Sequence, residues 1–170
     1  MSTAARRQVC HGNVAQPGPR FRYTAATMSE DLRLFVYRYL VENDRAPTVA
    51  QMAKSLKLSP AKAKSALARL AESHAIVLQE NGEIWRVAPF SAVPTTFPVQ
   101  VGKHTYYGNC IWDALGIPAM LKKDATVSAS CACCNFEMPL HVRNGKLAEK
   151  SGAVHFAVPA RHWYDDIVFT

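Results

Sequence analysis

The sequence predicts an α+β protein, in which a three-helix unit of winged-helix type precedes a small, mostly antiparallel sheet. Three observations support this class. Apolar residues recur at helical spacing over residues 29–73, and an Asn-Gly pair separates two β-prone runs within residues 75–87. Short β-prone runs separated by turns recur throughout residues 99–170. The predicted organisation is a tail (1–28), a winged-helix-like unit (29–88), a Pro-rich linker (89–98) and an α+β unit (99–170).

The helices of the first unit are predicted from their capping residues. Ser29 is predicted to cap a first helix that ends near Asn43-Asp44. A second helix follows Pro47-Thr48 and covers residues 49–56. Ser59 followed by Pro60 is a strong start signal for a third helix over residues 61–73. Three helices and the hairpin at Asn81-Gly82 together indicate a winged helix-turn-helix.

A winged helix commonly binds DNA. Five basic residues of this unit lie between residues 51 and 71, and that stretch contains no Asp or Glu. These residues are Lys54, Lys57, Lys62, Lys64 and Arg69. However, the third helix has no Asn or Gln to contact base edges. We favour a packing scaffold over a DNA reader, and DNA binding stays open as an alternative.

The N-terminal residues 1–28 are basic and lack hydrophobic periodicity, which predicts a flexible tail. Four arginines precede Met28, so most of the net charge of +7 lies in this tail. We expect Met28 to be the true initiator. No secretory signal and no apolar run of about 20 residues is visible, which favours a cytoplasmic protein without a membrane span.

The second unit is predicted to contain five short strands. They cover residues 99–101, 105–107, 126–130, 137–142 and 153–158. Turn signals such as Asn144-Gly145 separate the later ones.

A loop that runs into a short helix, residues 106–118, contains the most reactive combination of side chains. Asn109 is predicted as the N-cap, and Gly116 with Pro118 as the end of the helix. Cys110 then lies in the first turn, where the helix dipole favours a thiolate, and Asp113 lies three residues on, on the same face. By spacing alone, the favoured explanation is a small buried thiol and an Asp that is placed in the first turn by its interaction with the helix dipole.

Three further cysteines form the cluster Cys131, Cys133 and Cys134. A structural zinc site usually needs two separated ligand pairs, and the histidines at 104, 141, 155 and 162 share no ligand spacing with this cluster. Two interpretations stay open here: capture of a soft metal by neighbouring thiols, and a turn at a strand end with small buried thiols.

Three segments taken together resemble the organomercurial lyase (alkylmercury lyase) family. They are Pro89-Phe90-Ser91-Ala92-Val93-Pro94, Tyr107-Gly108-Asn109-Cys110-Ile111-Trp112-Asp113-Ala114-Leu115 and Val127-Ser128-Ala129-Ser130-Cys131. Their order and spacing also fit the family, and the resemblance covers roughly residues 30 to 170.

The resemblance implies an enzyme that cleaves carbon–mercury bonds by protonolysis without a cofactor, using two cysteines and one aspartate. It matches Cys110 to the first catalytic cysteine, Asp113 to the aspartate and Cys131 to a structural cysteine. Mercury is a soft cation that selects thiolates. A carboxyl beside a thiolate is pushed towards its protonated form, so Asp113 is suited to donate the proton.

The sequence departs from the family at two places. The second catalytic cysteine of the family lies near the C-terminus after an aromatic residue, but Phe169 is followed here by Thr170. We expect a truncated chain with impaired activity; replacement by Thr170, or substitution by Cys133 or Cys134, are the alternatives. Asn109 stands where the family often has an aromatic residue, which changes the expected shape of the substrate pocket.

The predicted function is therefore a lyase that converts an organomercurial substrate to a hydrocarbon and Hg(II), which passes to a thiol carrier or a mercuric reductase. Two other functions stay open. One is a winged-helix regulator that senses soft metals through Cys110 and the cluster at Cys131, and the other is a metal-binding relative without turnover.

Overall fold

The structure is a computed structural model that describes residues 25–131, 133–149, 151–156 and 158–167, with side chains described from residue 31 onward. It contains four α-helices and two antiparallel sheets within these residues. This mixed architecture confirms the predicted α+β class. None of the helices in the described ranges is long and apolar enough to cross a membrane.

Three helices form the first part of the fold: α1 (Ala25–Asn43), α2 (Val49–Ser55) and α3 (Pro60–Glu72). Thr48 and Gln51 form a reciprocal capping box at the start of α2, and the Ser59 hydroxyl accepts a hydrogen bond from the Lys62 amide at the start of α3. The prediction of Ser29 as the first cap is wrong, because α1 already begins at Ala25. Residues 1–24 of the predicted tail lie outside the described residues.

A small sheet follows the helices, with strands β1 (Val77–Leu78), β2 (Ile84–Val87) and β3 (Phe90–Ser91) in that order. The hairpin predicted at Asn81-Gly82 is confirmed by the antiparallel pairing of β1 with β2. Gly82 has a φ of 82°, which a side chain would strain. The third strand, β3, lies within the segment predicted as a linker, and its two residues are buried.

The second sheet has the order β5-β4-β6-β7-β8 and is antiparallel throughout. Its strands are β4 (Pro98–Val101), β5 (His104–Tyr107), β6 (Ala125–Val127), β7 (Leu140–Arg143) and β8 (Lys146–Leu147). Helix α4 (Ile111–Leu121) packs against β3, β4 and β6. The sheet and the helix together hold the loop that contains Cys110.

The predicted strands of this sheet are confirmed unequally. The first two are present and the third is shorter. The fourth begins later, because residues 133 and 134 form a turn and Ser130 pairs with Glu137 only in an isolated bridge. The strand predicted over 153–158 is wrong: the described residues of that segment are irregular, and a 3-10 helix (Ala160–His162) follows. Most of this segment is exposed, and a strand without a buried face has little to stabilise it.

Helix α1 joins the two parts of the fold because its middle and its C-terminal end are buried in different cores. Leu32 and Val36 pack in the core of the helical part, whereas Leu40 packs with Phe90 against the second sheet. Polar contacts also cross this boundary: the Tyr106 hydroxyl donates to the Val41 carbonyl over 2.8 Å, and Tyr37 donates to the Ala88 carbonyl over 2.8 Å. The helical part is thus packed on strands β3 and β5 of the two sheets.

Candidate functional site

The loop before α4 is held by close backbone packing at Gly108. A Cβ atom at this position would lie 2.6 Å from the Ala114 amide nitrogen, so only glycine fits. The Gly108 amide donates to the Phe97 carbonyl over 3.0 Å, and the Thr95 hydroxyl donates to the Gly108 carbonyl over 2.6 Å. This packing fixes where the chain enters the helix.

The start of α4 differs from the prediction by one residue. Cys110, not Asn109, is the N-cap, with an extended backbone and a carbonyl that accepts the Ala114 amide over 2.9 Å. Asn109 instead turns its side chain towards Asp113 and Phe90. A thiol is a weaker capping group than an amide, and the Cys110 side chain makes no capping hydrogen bond. The sulfur therefore stays available at the first turn.

The end of α4 also differs from the prediction, because the helix continues through Gly116 and Pro118 to Leu121. Proline has a helical φ, but it lacks an N–H group, so the helix loses one backbone hydrogen bond at Pro118. Ile117 and Pro118 are both fully buried, and the free energy gained from this burial outweighs the lost hydrogen bond. Gly116 allows close packing on Pro89, since a Cβ atom there would lie 3.3 Å from the proline ring.

The Cys110 thiol is half-buried, and this burial raises its pKa. The backbone amides of Asp113 and Trp112 lower the pKa, as expected at a helix start, and the charge of Arg86 also lowers it. Burial and the neighbouring Asp113 carboxylate outweigh these effects. The prediction of a thiol ionised by the helix dipole is therefore wrong in its net direction.

The Asp113 carboxyl has a raised pKa, as predicted, but for a different reason. Burial is the largest cause, rather than the charge of Cys110. Hydrogen bonds from the Asn109 side chain and backbone lower the pKa in part. The Asn109 Nδ2 group donates to Asp113 Oδ2 over 2.8 Å and to the Phe90 carbonyl over 3.3 Å. The amide therefore holds the carboxyl beside Cys110.

Arg86 connects this site to the helical part of the protein. It belongs to β2, and its positive charge lowers the pKa of both Cys110 and Asp113. Its guanidinium also lies 5.0 Å from the Trp85 ring centre and donates to the Ile167 carbonyl. Arg86 therefore brings three distant segments together: β2, the start of α4 and the C-terminal segment that ends the described chain.

The cluster at Cys131 lies at the tip of a hairpin-like turn. The Cys131 amide donates to the Phe136 carbonyl over 2.9 Å, and the Asn135 amide donates to the Cys131 carbonyl over 2.8 Å. Backbone amides of Cys134 and Cys133, with the Cys134 thiol, lower the pKa of Cys131. Cys133 and Cys134 are exposed. In the part of the chain that the structure describes, no three His, Cys, Asp or Glu side chains converge where a metal ion could be held.

Comparison with known proteins agrees with this arrangement. Residues 90–170 match the family model described as "MerB: Alkylmercury lyase". This part of the chain is therefore similar to the alkylmercury lyase family. The matched residues include Asn109, Cys110 and Asp113, whereas Arg86 precedes them.

A solved structure extends the likeness to most of the fold. The "mercury-bound form of MerB2" shares 22% sequence identity with this chain at a TM-score of 0.56. The match covers 74% of this chain and 66% of that one, so the chain spans about two thirds of the length of this relative. No curated protein matches the chain.

The sequence predicted Cys110 and Asp113 as site residues, and both lie in the segment that the family model matches, but two of their neighbours were missed. Arg86 was predicted only as a strand residue, and no local pattern distinguishes it from the other basic side chains. Phe90 was predicted as part of a motif, but the sequence could not show that its carbonyl accepts a hydrogen bond from the Asn109 side chain. Phe169 and Thr170, the place of the expected second thiol, lie outside the described residues.

Proposed function

We propose that the protein cleaves organomercurial compounds by protonolysis, giving a hydrocarbon and Hg(II). The observation that carries this proposal is the pairing of Cys110 and Asp113 in the first turn of α4, within residues that match the alkylmercury lyase family. A thiol is the preferred ligand for a soft cation such as mercury, and a carboxyl is a suitable acid for a departing carbon.

The reaction needs two steps at these residues. First, the Cys110 sulfur forms a bond to mercury and its proton is released, giving R–Hg–S. The Asp113 carboxylic acid then transfers its proton to the carbon, the carbon–mercury bond breaks, and R–H leaves. The mercury stays on the Cys110 sulfur as Hg(II), and its remaining positive charge is balanced by the Asp113 carboxylate.

The electrostatics of the site support the second step in particular. Burial raises the pKa of Asp113, so that its proton is retained at a higher pH than that of an exposed carboxyl. Burial also raises the pKa of Cys110, but mercury displaces the thiol proton and does not require a preformed thiolate. The site thus keeps an acid next to the metal-binding sulfur.

The test is release of benzene from phenylmercury by purified protein. We expect benzene from the wild-type protein and none above background from Cys110→Ser. The matched control is Cys133→Ser, because that thiol is exposed and belongs to the other cluster. Full benzene release by Cys110→Ser, or none from the wild-type protein and from a version extended past Thr170, would contradict the proposal.

The remaining cysteines have secondary roles in this proposal. Cys131 is structural, because its backbone closes the turn that carries the cluster. Cys133 and Cys134 are exposed thiols suited to take Hg(II) after cleavage. Mercury retained per protein after the reaction measures this role: we expect less retention in the double variant Cys133→Ser/Cys134→Ser, and equal retention would exclude it.

The rest of the chain has a supporting role. We propose that α1–α3 with the β1–β2 hairpin form a winged-helix-like scaffold that supplies Arg86, and that residues 99–170 form the unit in which catalysis takes place. In the proposed cytoplasmic setting, Hg(II) is handed to a thiol carrier or a mercuric reductase. An electrophoretic mobility shift with upstream DNA tests the scaffold role, because salt-sensitive binding would instead indicate a DNA reader.

A further inference from the structure

The turn that carries Cys131 follows a helical path for one turn and then ends. The Asn135 amide donates to the Cys131 carbonyl over 2.8 Å, which is the i to i+4 hydrogen bond of a single helical turn. Asn135 itself has a φ of 55°, a left-handed conformation that Asn adopts more readily than most residues and that ends the turn. The Cys131 amide also donates to the Phe136 carbonyl over 2.9 Å, so both backbone groups of Cys131 are fixed.

This turn decides which of the three thiols of the cluster are neighbours. In a helical turn, the side chains of residues i and i+3 lie on one side, whereas the side chain of residue i+2 points elsewhere. Cys134 follows Cys131 at i+3, and Cys133 follows it at i+2. In agreement, the Cys134 thiol is among the groups that lower the pKa of Cys131, and the Cys133 thiol is not. Cys131 and Cys134 therefore form a pair to which Cys133 does not belong.

The backbone around this pair favours sulfur in its anionic, metal-binding form. The amides of Cys134 and Cys133 both interact with the Cys131 sulfur. Successive backbone amides that point at one atom form an anion-binding nest of the kind found around the sulfurs of metal sites. The backbone of Cys131 closes the turn, but its thiol is free, and the free thiol of Cys134 is exposed. The pair thus has the Cys-x-x-Cys spacing of many metal sites and is open to a ligand.

The number of available ligands restricts which metal fits. Zinc in a structural site takes four ligands. Among the residues that the structure describes, no three His, Cys, Asp or Glu side chains converge around an ion, so the pair has no further protein ligand of these types. A soft cation that binds two thiolates in line, such as Hg(II), needs only two sulfurs. The pair therefore suits Hg(II) rather than zinc.

We infer that Cys131 and Cys134 form a two-thiolate chelate for Hg(II) that does not use Cys110, and that Cys133 is not a ligand. Hg(II) forms one bond to each sulfur, the protons still held by the thiols pass to the solvent, and no electrons are transferred. The inference rests on the proposed function for the source of the metal. It narrows the proposed product-binding role of the cluster to two particular thiols.

The test measures Hg(II) retention by the full chain carrying Cys110→Ser, which removes the thiol of the other site. The protein is loaded with HgCl₂ and titrated with glutathione, a single thiol that displaces a single protein thiol more easily than a chelate. We expect the further change Cys134→Ser to lower the apparent affinity for Hg(II) about 10²- to 10⁴-fold. Cys131→Ser should have the same effect, but the test depends on Cys134, whose exposed side chain is not needed for folding.

The matched control is Cys133→Ser, because this neighbouring thiol is equally exposed. It should leave the affinity for Hg(II) unchanged. An unchanged affinity in Cys134→Ser, or an equal loss in Cys133→Ser, overturns the inference.

A second measurement identifies the bound sulfurs directly. The Cys110→Ser protein loaded with Hg(II) is alkylated with iodoacetamide, and its peptides are sequenced by mass spectrometry. We expect Cys131 and Cys134 to be protected and Cys133 to be modified; protection of Cys133 in place of either overturns the inference. Because HgCl₂ is the probe, the chelate can be found even if phenylmercury is not cleaved, and cleavage can be found without the chelate.

Discussion

The two thiol regions of this protein differ in what surrounds them. Cys110 is half-buried at the start of α4, beside the Asp113 carboxyl and within the field of Arg86, and its pKa is raised mainly by burial. Cys131 lies in an irregular turn, and its pKa is lowered by the amides of Cys134 and Cys133 and by the Cys134 thiol. Cys131 is therefore the more easily ionised thiol, and no carboxyl group is among the groups that shift its pKa.

In the proposed mechanism, this difference means that the more easily ionised thiol is not the catalytic one. Mercury binds either sulfur, because a soft metal displaces a thiol proton. Protonolysis also needs an acid that keeps its proton close to the metal, and the burial that raises the pKa of Asp113 provides it. Burial makes Cys110 less ionised, and burial also keeps the proton on Asp113 that the proposed mechanism needs.

The largest expected effect comes from removing the acid. Asp113→Asn keeps the size of the side chain and an acceptor for Asn109, but it has no proton to transfer. We expect the rate of benzene release from phenylmercury to fall about 10²- to 10⁴-fold, while Cys110 still binds phenylmercury. Single-turnover benzene release checks the rate, and the loss of one equivalent of bound mercury when Cys110→Ser is added to Asp113→Asn checks the binding. A rate within a few-fold of wild type would remove Asp113 from the mechanism.

The next effect comes from disturbing the loop that positions Cys110. Gly108→Ala places a methyl group against the Ala114 backbone, at 2.6 Å from its nitrogen. We expect a loss of about 1–3 kcal/mol in the free energy of unfolding and a corresponding loss of activity.

The matched control for this loop is Gly116→Ala in the same helix. There the new methyl group meets the Pro89 side chain at 3.3 Å instead of backbone, and alanine favours the helix. Urea unfolding of both variants measures the difference. Equal stability of Gly108→Ala and wild type would show that the loop can move.

The two thiols themselves are compared by alkylation. Because the pKa of Cys131 is lowered and that of Cys110 is raised, iodoacetamide should modify Cys131 at a lower pH than Cys110. Peptide mass spectrometry across a pH series measures the two profiles, and Cys131→Ser confirms the assignment of the early one. If Cys110 is modified at a lower pH than Cys131, the predicted order of the two thiol pKa values is wrong.

The smallest expected effect is a shift in the pH dependence of benzene release when the Asn109 side chain is removed. Its hydrogen bonds lower the pKa of Asp113, so Asn109→Ala raises that pKa further. A general acid is active while protonated, and its activity is lost as the pH rises through its pKa. We therefore expect benzene release to persist to a higher pH in Asn109→Ala.

The control for this shift is Gln100→Ala, whose amide donates instead to the Gly102 carbonyl in the β4–β5 turn. It should leave the pH profile unchanged. The predicted role of Asn109 is wrong if the pH profile of benzene release by Asn109→Ala moves to lower pH, or if it coincides with the profile of Gln100→Ala.

Local patterns predicted the helical part of the fold well. Thr48 with Gln51, and Ser59 with Pro60, act within one turn of the backbone, so their effect can be read from spacing. The same reasoning failed at Pro118 and at residues 153–158. In the first case buried contacts with the sheet decided the outcome, and in the second the expected strand has no buried face.

The sequence by itself determined the spacing of Cys110 and Asp113, because three residues in a helical turn place two side chains on one face. It also contains the motifs that resemble those of the alkylmercury lyase family. Only the tertiary structure decided the state of that pair. Burial, the approach of Arg86 from another strand and the anchoring of Asn109 by the Phe90 carbonyl are contacts between distant segments. A pKa depends on these surroundings, so no local pattern could have predicted it.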